Sequence, residues 1–448
     1  MLDCVVVGAG IAGLQAALRL DDAGRDFVIL EARGRVGGRI ENVTLDDGQI
    51  AEHGGQWINP GHEQMLALVD GYGLKHVPPT GGDILVVSKG NVNRMAAEAR
   101  EPAYSPFEMS DLGQGLARFS RLSQRATAAD SWSDEHATWL NQHLVRWINA
   151  NLRTPGARGA FRRVLVDAIG EVNFDTMTLG EALDAVEGGL GLESLVAISG
   201  SLQQIRVDGG IFQICEGMAE KLADRIKLDS PVASIEQTEN GVTVTTRDGD
   251  VYRAAQVIVT VPPWLVPEIT FSPALPEWRS EVLAKSSAGS IFKIHLIYPE
   301  PWWRADGLSG QMGADVGPVR VTLDTSNNGG GYGLLMGFFE GPDADRLRAS
   351  SPEMREHAFI HALKRAFGEK AGTAIAYVER DWFAEEFTRG CHVPHFTPGH
   401  WSLNGAMLAE AEGRVHFAGA EYASKFNSYM EGALISAGKA VDEVLAAL

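Results

Sequence analysis

The chain has 448 residues, and its 39 Lys+Arg against 58 Asp+Glu leave a formal charge of −19. That length suits two interlocked domains, and that charge repels nucleic acid and anionic lipid while drawing in a basic small molecule. Hydrophobic residues at 45%, charged residues at 22%, and Gly 51 against Pro 19 exclude overall disorder and point to many tight turns. Cys4, Cys215 and Cys391 are too few and too scattered for a disulfide framework or a zinc site, so a cytoplasmic location and no metal are expected. No run approaches the ~20 apolar residues of a membrane span, and neither a signal peptide nor a membrane anchor is expected at the ends.

In chain order, Cys4 to Val7 reads as a buried parallel strand running directly into Gly8-Ala9-Gly10-Ile11-Ala12-Gly13. Gly8 permits the turn and Gly10 lets the backbone approach a pyrophosphate. Gly13 lets the next helix, about Ile11 to Ala23, pack on the strand. Phe27 to Leu30 is a second strand, and Glu31 stands at its end, where a carboxylate accepts both hydroxyl hydrogens of an adenosine ribose. This order predicts dinucleotide binding, with FAD or NAD preferred to NADP because the acid disfavours a 2′-phosphate. Arg33-Gly34-Arg35-Val36-Gly37-Gly38-Arg39 then reads either as a second backbone approach to a pyrophosphate, with arginine beside it, or as a solvated basic loop.

Beyond Gly54-Gly55-Gln56-Trp57 the pattern turns helical from about 100 to 200, with Trp139, Leu140, Leu144, Trp147 and Ile148 on one face. Strands are predicted at Ile226 to Leu228, Val232 to Gln237, Val242 to Thr246 and Val257 to Val261, with hairpin turns at Glu239-Asn240-Gly241 and Asp248-Gly249. A mixed segment follows: strands at Ile291 to Tyr298 and Gly331 to Phe339, then a helix near Met354 to Phe367. A last strand at Arg414 to Gly419 and a helix from Tyr429 to about Ala447 close the chain.

Several separated blocks resemble the flavin-dependent monoamine oxidase family over nearly the whole chain. They are Glu31-Ala32-Arg33 with Arg35 to Arg39, Val207-Asp208-Gly209-Gly210 with Gln213, Thr260-Val261-Pro262-Pro263, Gly289 to Lys293, Phe417 to Glu421, and Tyr429 to Gly432. The resemblance implies an α/β chain in which a Rossmann-like FAD-binding domain (1–75, 205–280 and 385–448) is interleaved with an α+β substrate domain (76–204 and 281–384), the amine oxidase fold. It also implies a cofactor site at Gly8, Gly10, Gly13, Glu31, Arg33, Gly38, Arg39, Gly55, Gln56, Trp57, Val232, Trp382, Cys391, Gly419, Glu421, Tyr429 and Met430.

By the same resemblance, Lys293 bridges through water to flavin N5. Tyr429 is one of two aromatic side chains framing the substrate, and His392 stands where the second is usually tyrosine. Trp57, Gln203 and Val196 match further cavity positions, each with core packing as the alternative. Trp382 precedes Cys391 by the family's interval between a flavin-adjacent tryptophan and a flavin-linking cysteine. Cys391 is therefore either a thioether attachment or a small buried hydrophobe. Ser428 departs from the family's glycine.

The expected reaction takes a hydride equivalent from the carbon beside a neutral primary or secondary amine. It gives an imine, then an aldehyde or ketone, while O2 becomes H2O2. Alternatives are an L-amino-acid or cyclic-amine oxidase of the same fold, for which no carboxylate-clamping arginine is placed, and a non-catalytic flavin-binding scaffold. Partners are the amine and O2, with a homodimer left open.

Overall fold

The computed structural model describes residues 1–59, 61–88, 90–96, 105–128, 136–169, 177–187, 205–314, 317–327, 330–396 and 406–448. The first strand, Leu2–Val7, lies parallel to both neighbours, Val251–Val259 and Phe27–Leu30. Its side chains alternate between two cores. Cys4 and Val6 pack beneath the helices Ile11–Asp22 and Met430–Ala447, and Val5 and Val7 pack against Val244, Val257 and Phe417. Burial on both faces from Cys4 to Val7 explains the apolar, mostly β-branched run there. The sheet runs Thr270–Ser272, Val232–Thr238, Gly241–Thr246, Val251–Val259, Leu2–Val7, Phe27–Leu30, Ile226–Lys227, with Val415–Phe417 also paired to Val251–Val259. The first and last helices meet through small residues, Ala16 and Ala17 against Ala433, Ala437 and Ala440, which lets their backbones approach closely.

A second sheet runs Ala376–Asp381, Ile291–Tyr298, Gly333–Glu340, Val321–Asp324, Leu308–Ala314, Asp83–Ser88, Asn91–Met95. Every residue of Ile291–Tyr298 is buried. Phe292, Ile294, Leu296 and Tyr298 pack on Phe359 and Leu363 of the helix Pro352–Phe367, which Ser351 caps by accepting from Met354 N. By strand alternation Lys293 and His295 face the other way. On that side Ile297 packs with Ala51 of the short strand Ile50–Glu52.

The strands of the first sheet fall within 1–75, 205–280 and 385–448, and those of the second within 76–204 and 281–384. Among the described residues, two pairings cross these ranges: His76–Val77 with Arg206–Val207, and Ser286–Gly289 with Cys391–Phe396. The helical stretch contains Pro106–Ala128, Ala137–Leu140, Leu144–Asn151, Pro155–Ile169 and Leu179–Glu187 around Phe119, Trp147 and Phe161.

Local differences from the sequence reading have physical causes. Trp139 is 40% exposed rather than part of the apolar face, while Leu140, Leu144, Trp147 and Ile148 are buried. The strand expected at Val257 to Val261 spans Val251–Val259, because its polar first half is needed to complete a hairpin with Gly241–Thr246 and its end meets Pro262-Pro263. The final strand is only Val415–Phe417, since Gly419 adopts φ 142.

Candidate active site

The nucleotide end is built from backbone. A Cβ on Gly13 would lie 1.9 Å from the Gly8 carbonyl oxygen, so only glycine lets the helix sit this close to the turn. Helix Ile11–Asp22 begins at Gly10 with no side-chain cap and no acid in its first turn, which leaves its N-terminal N–H groups and positive dipole end for an anion. Gly38 packs on Gly10, where a Cβ would be 3.2 Å from the Gly10 Cα, so the two glycine loops meet.

Glu31, 4% exposed, accepts from Ala9 N at 2.7 Å and from Arg33 N at 2.9 Å. Those bonds orient the carboxylate and leave half of its lone pairs free to accept two hydroxyls. The corner leading to buried Val232 is tied here, Asp229 N donating to Arg33 O and Ser230 N to Glu31 O. This donor set fits a dinucleotide: an acid for the ribose, and bare N–H groups with arginine nearby for the pyrophosphate.

Arg39 donates to Glu421 through two bonds of 2.5 and 2.9 Å and lies over the Trp264 ring at 5.7 Å. Burial opposes the charge on Arg39, but Glu421 outweighs it and the guanidinium is held more basic than usual. Arg33 donates to the Thr388 hydroxyl, and Trp264 Nε1 donates to the Thr388 carbonyl. The Arg39 carbonyl accepts from Gly55 N at 3.0 Å. A Cβ on Gly54 would fall 2.1 Å from that same oxygen, and one on Gly55 would meet Met430 Sδ at 2.9 Å.

This glycine pair delivers Lys293 to the same place. Its ammonium, 4% exposed, donates to Gly54 O at 2.9 Å and to Gln56 Oε1 at 2.5 Å. Burial lowers its pKa to about 8, with Glu52 and Cys391 holding it up against that pull. Burial in turn raises Glu52, against Lys293, and Glu52 accepts from Ile211 N at 2.8 Å.

Trp382 is buried and donates from Nε1 to His53 O at 2.8 Å, and Gly390 N donates to Trp382 O. Cys391 is half-buried, opens the strand opposite Gly289, and acts electrostatically on both Arg39 and Lys293. His392 follows it in that strand and is described here by its backbone alone. Gly419 N donates to Ser436 Oγ.

Tyr429 is half-buried at the start of the last helix, burial pushes its phenol up to about 12, and its ring meets His62 edge-on at 5.3 Å. Arg206 lies over the Trp57 ring at 5.7 Å. Val196 and Gln203 lie outside the described residues.

The structure adds residues that the sequence reading passed over. Glu52, His53, Arg206 and His295 gather around Lys293, and His62 backs Tyr429. Glu431 accepts from Gln64 N and Met65 N, clamping the last helix to the helix Glu63–Gly71. The available signal was polar residues inside an apolar strand, Ile291-Phe292-Lys293-Ile294-His295. Among the described residues, no three His, Cys, Asp or Glu side chains are grouped to hold a metal ion, and no helix is long and apolar enough to cross a membrane.

A glycine-bridged dinucleotide cradle facing a buried lysine at the seam of two sheets defines a nucleotide-dependent oxidoreductase. More particularly, the chain belongs to the flavin-containing amine oxidoreductase family, whose model matches residues 11–445. It is 31% identical over 450 residues to a flavin-containing amine oxidase of Danio rerio, covering 100% of this chain and 86% of that one. Among solved structures it resembles a wild-type putrescine oxidase bound to putrescine, with TM-score 0.92, 28% identity and 99% of each chain covered. It also resembles cyclohexylamine oxidase from Brevibacterium oxydans IH-35A, with TM-score 0.90, 28% identity and 99% of each chain covered. The protein is a flavin-dependent enzyme that oxidises amines.

Proposed function

We propose that the cofactor is FAD, held by 1–75, 205–280 and 385–448, and that the amine enters against 76–204 and 281–384. Glu31 takes the adenosine ribose, and the Gly10 helix start and Gly38 take the pyrophosphate. Arg39, locked by Glu421, supplies positive charge beside them. Gly8, Gly13, Arg33, Val232, Gly419 and Met430 shape the cradle. A bound flavin would supply the hydride acceptor for the amine carbon, with O2 as the final oxidant giving H2O2.

The chain's own residues orient and exclude. Tyr429 frames the amine, Trp57 lines its cavity, and Trp382 walls the flavin site. Gln56 and Gly54 use two N–H groups of Lys293 and leave the third to hold a water there. Cys391, half-buried beside two cations, is the attachment point for a covalent flavin, since proximity to cations favours a reactive thiolate.

The carrying observation is the Lys293 ammonium, buried in an apolar strand yet clasped by Gly54 O and Gln56 Oε1. No structural need accounts for a charge there, because a Met would pack the strand at lower cost. The reaction product is an imine of a small primary or secondary amine, and putrescine and cyclohexylamine oxidation by the structural neighbours support an unbranched or cyclic aliphatic group. Three scattered cysteines, too few for a disulfide framework, suit a cytoplasmic enzyme. Stopped-flow mixing of the reduced Lys293→Met variant with O2 tests the role of Lys293: a slowed reoxidation with flavin still bound supports it, and an unchanged rate rejects it.

A further inference from the structure

His295 is 0% exposed, and neither ring nitrogen has a hydrogen-bonding partner among the described residues. It stands two positions after Lys293 on the same strand face. Its ring faces that of His53 at 5.9 Å, tilted by 39°, and His53 Nε2 is likewise buried and unpartnered. An apolar side chain would be the stable choice between Ile294 and Leu296, since a buried polar atom without a partner is among the costlier defects of a fold. Two imidazoles with three unmet nitrogens between them therefore mark a polar chamber.

The charges around the chamber narrow its occupant. Lys293 and Arg206 act electrostatically on His295, Lys293 and Arg380 on His53, and Glu52 of the Ile50–Glu52 strand and Cys391 on Lys293. Arg380 is itself paired with Glu41 and Glu385, and Arg206 donates to the Thr325 and Ser326 carbonyls. The charged side chains that act on the two rings are cations, which disfavours a further cation between them. Burial and these cations push His53 down to about 4 and His295 well below its ordinary value, so both rings are neutral at working pH. Neutral imidazoles each offer one donor and one acceptor.

We infer that His53 and His295 bind ordered water between their rings, and that the dipole of this water, without a direct hydrogen bond, stabilises the charge on Lys293. Water with its hydrogens on the ring acceptors turns its oxygen toward Lys293 and Arg206. The two histidines thus act as positioning residues: they set how much of Lys293 stays protonated without touching substrate. The inference rests on the proposed role of Lys293, but its measurement does not need turnover.

Lysine labelled with 13C at Cε in the oxidised holoenzyme reports the Lys293 titration, and Lys293→Met identifies the resonance. The midpoint is expected near pH 8 in the unmodified protein. His295→Phe, which fills and dries the chamber, should lower it by about one pH unit or more, and His53→Phe should do the same from the other wall. His295→Gln, which still bonds water, should hold it near its original value. A midpoint unmoved in both Phe variants, or a crystal structure of the unmodified protein without ordered water within hydrogen-bonding distance of His295, overturns the proposal. Failure of amines to reduce the flavin would remove the functional reading and leave this titration unaffected.

Discussion

Arg39 and Glu421 form a two-pronged ion pair, 382 residues apart in sequence, with the Glu421 side chain 1% exposed and that of Arg39 23%. The pair joins the second glycine loop to the segment after the last strand, and the Arg39 carbonyl carries Gly55. It therefore sets the distance between the nucleotide cradle and the glycine turn that holds Lys293. Glu421→Gln leaves the guanidinium uncompensated, which should cost about 3 kcal/mol in urea unfolding of the apoprotein. It should also weaken flavin retention on gel filtration. Unfolding free energy within 0.5 kcal/mol of the parent, about the scatter of surface substitutions, would remove the pair from this role.

Lys293 gives the fold a pH signature. Its folded pKa of about 8 lies below the unfolded value of 10.5, so between these values the unfolded chain binds more protons than the native one. Stability then rises with pH across that window, and below it the whole burial penalty is present. Lys293→Met should be more stable than the parent at pH 7, by about 3 kcal/mol at most, and the difference should shrink toward pH 10. Parallel denaturant titrations at pH 7, 8.5 and 10 check this, and a constant difference would contradict it.

Cys391 should keep its flavin through acid precipitation, leaving a yellow pellet, and Cys391→Ser should release free FAD into the supernatant. Quantitative release from the unmodified protein would disprove the covalent link and leave amine oxidation intact.

Ser428, where the family resemblance leads one to expect glycine, adopts φ 68, and Phe426 nearby adopts φ 54. Its N–H donates to Ala420 O at 2.9 Å and its hydroxyl to Asn427 Oδ1 at 2.9 Å, which hold the left-handed turn just before Tyr429. Ser428→Gly removes the strain at the cost of a looser unfolded chain, and should raise stability by about 0.5 kcal/mol. Calorimetry showing a lower melting temperature would mean that the serine hydroxyl outweighs the strain.

The parts of the molecule legible in the sequence are those where local chemistry dictates geometry. Gly8 to Gly13 join the first strand to its helix, Phe27 to Leu30 form the next strand with Glu31 at its end, and Ile291 to Tyr298 is a largely apolar run, so each is where its pattern put it. Asn91–Met95 was not legible, because it is an exposed edge strand with no apolar alternation. The surroundings of Lys293 were not legible either. Glu52 and His53 lie some 240 residues before it, and only the fold of Ile50–Glu52 under the second sheet brings them together. His62 was missed for the same reason: its meeting with Phe426 and Tyr429 is made by Glu431 clamping two distant helices.

The most direct measurement is anaerobic mixing of the oxidised holoenzyme with a panel of primary and secondary aliphatic, cyclic and aromatic amines, following the visible flavin band. At least one amine should bleach the band in a single saturable phase, and admitting O2 should restore it with one H2O2 formed per flavin. Tyr429→Ala should slow the bleaching while leaving the resting spectrum in place. A band that no amine bleaches, in a protein whose flavin is still reduced by dithionite and reoxidised by O2, would contradict the assignment of this site to amine oxidation.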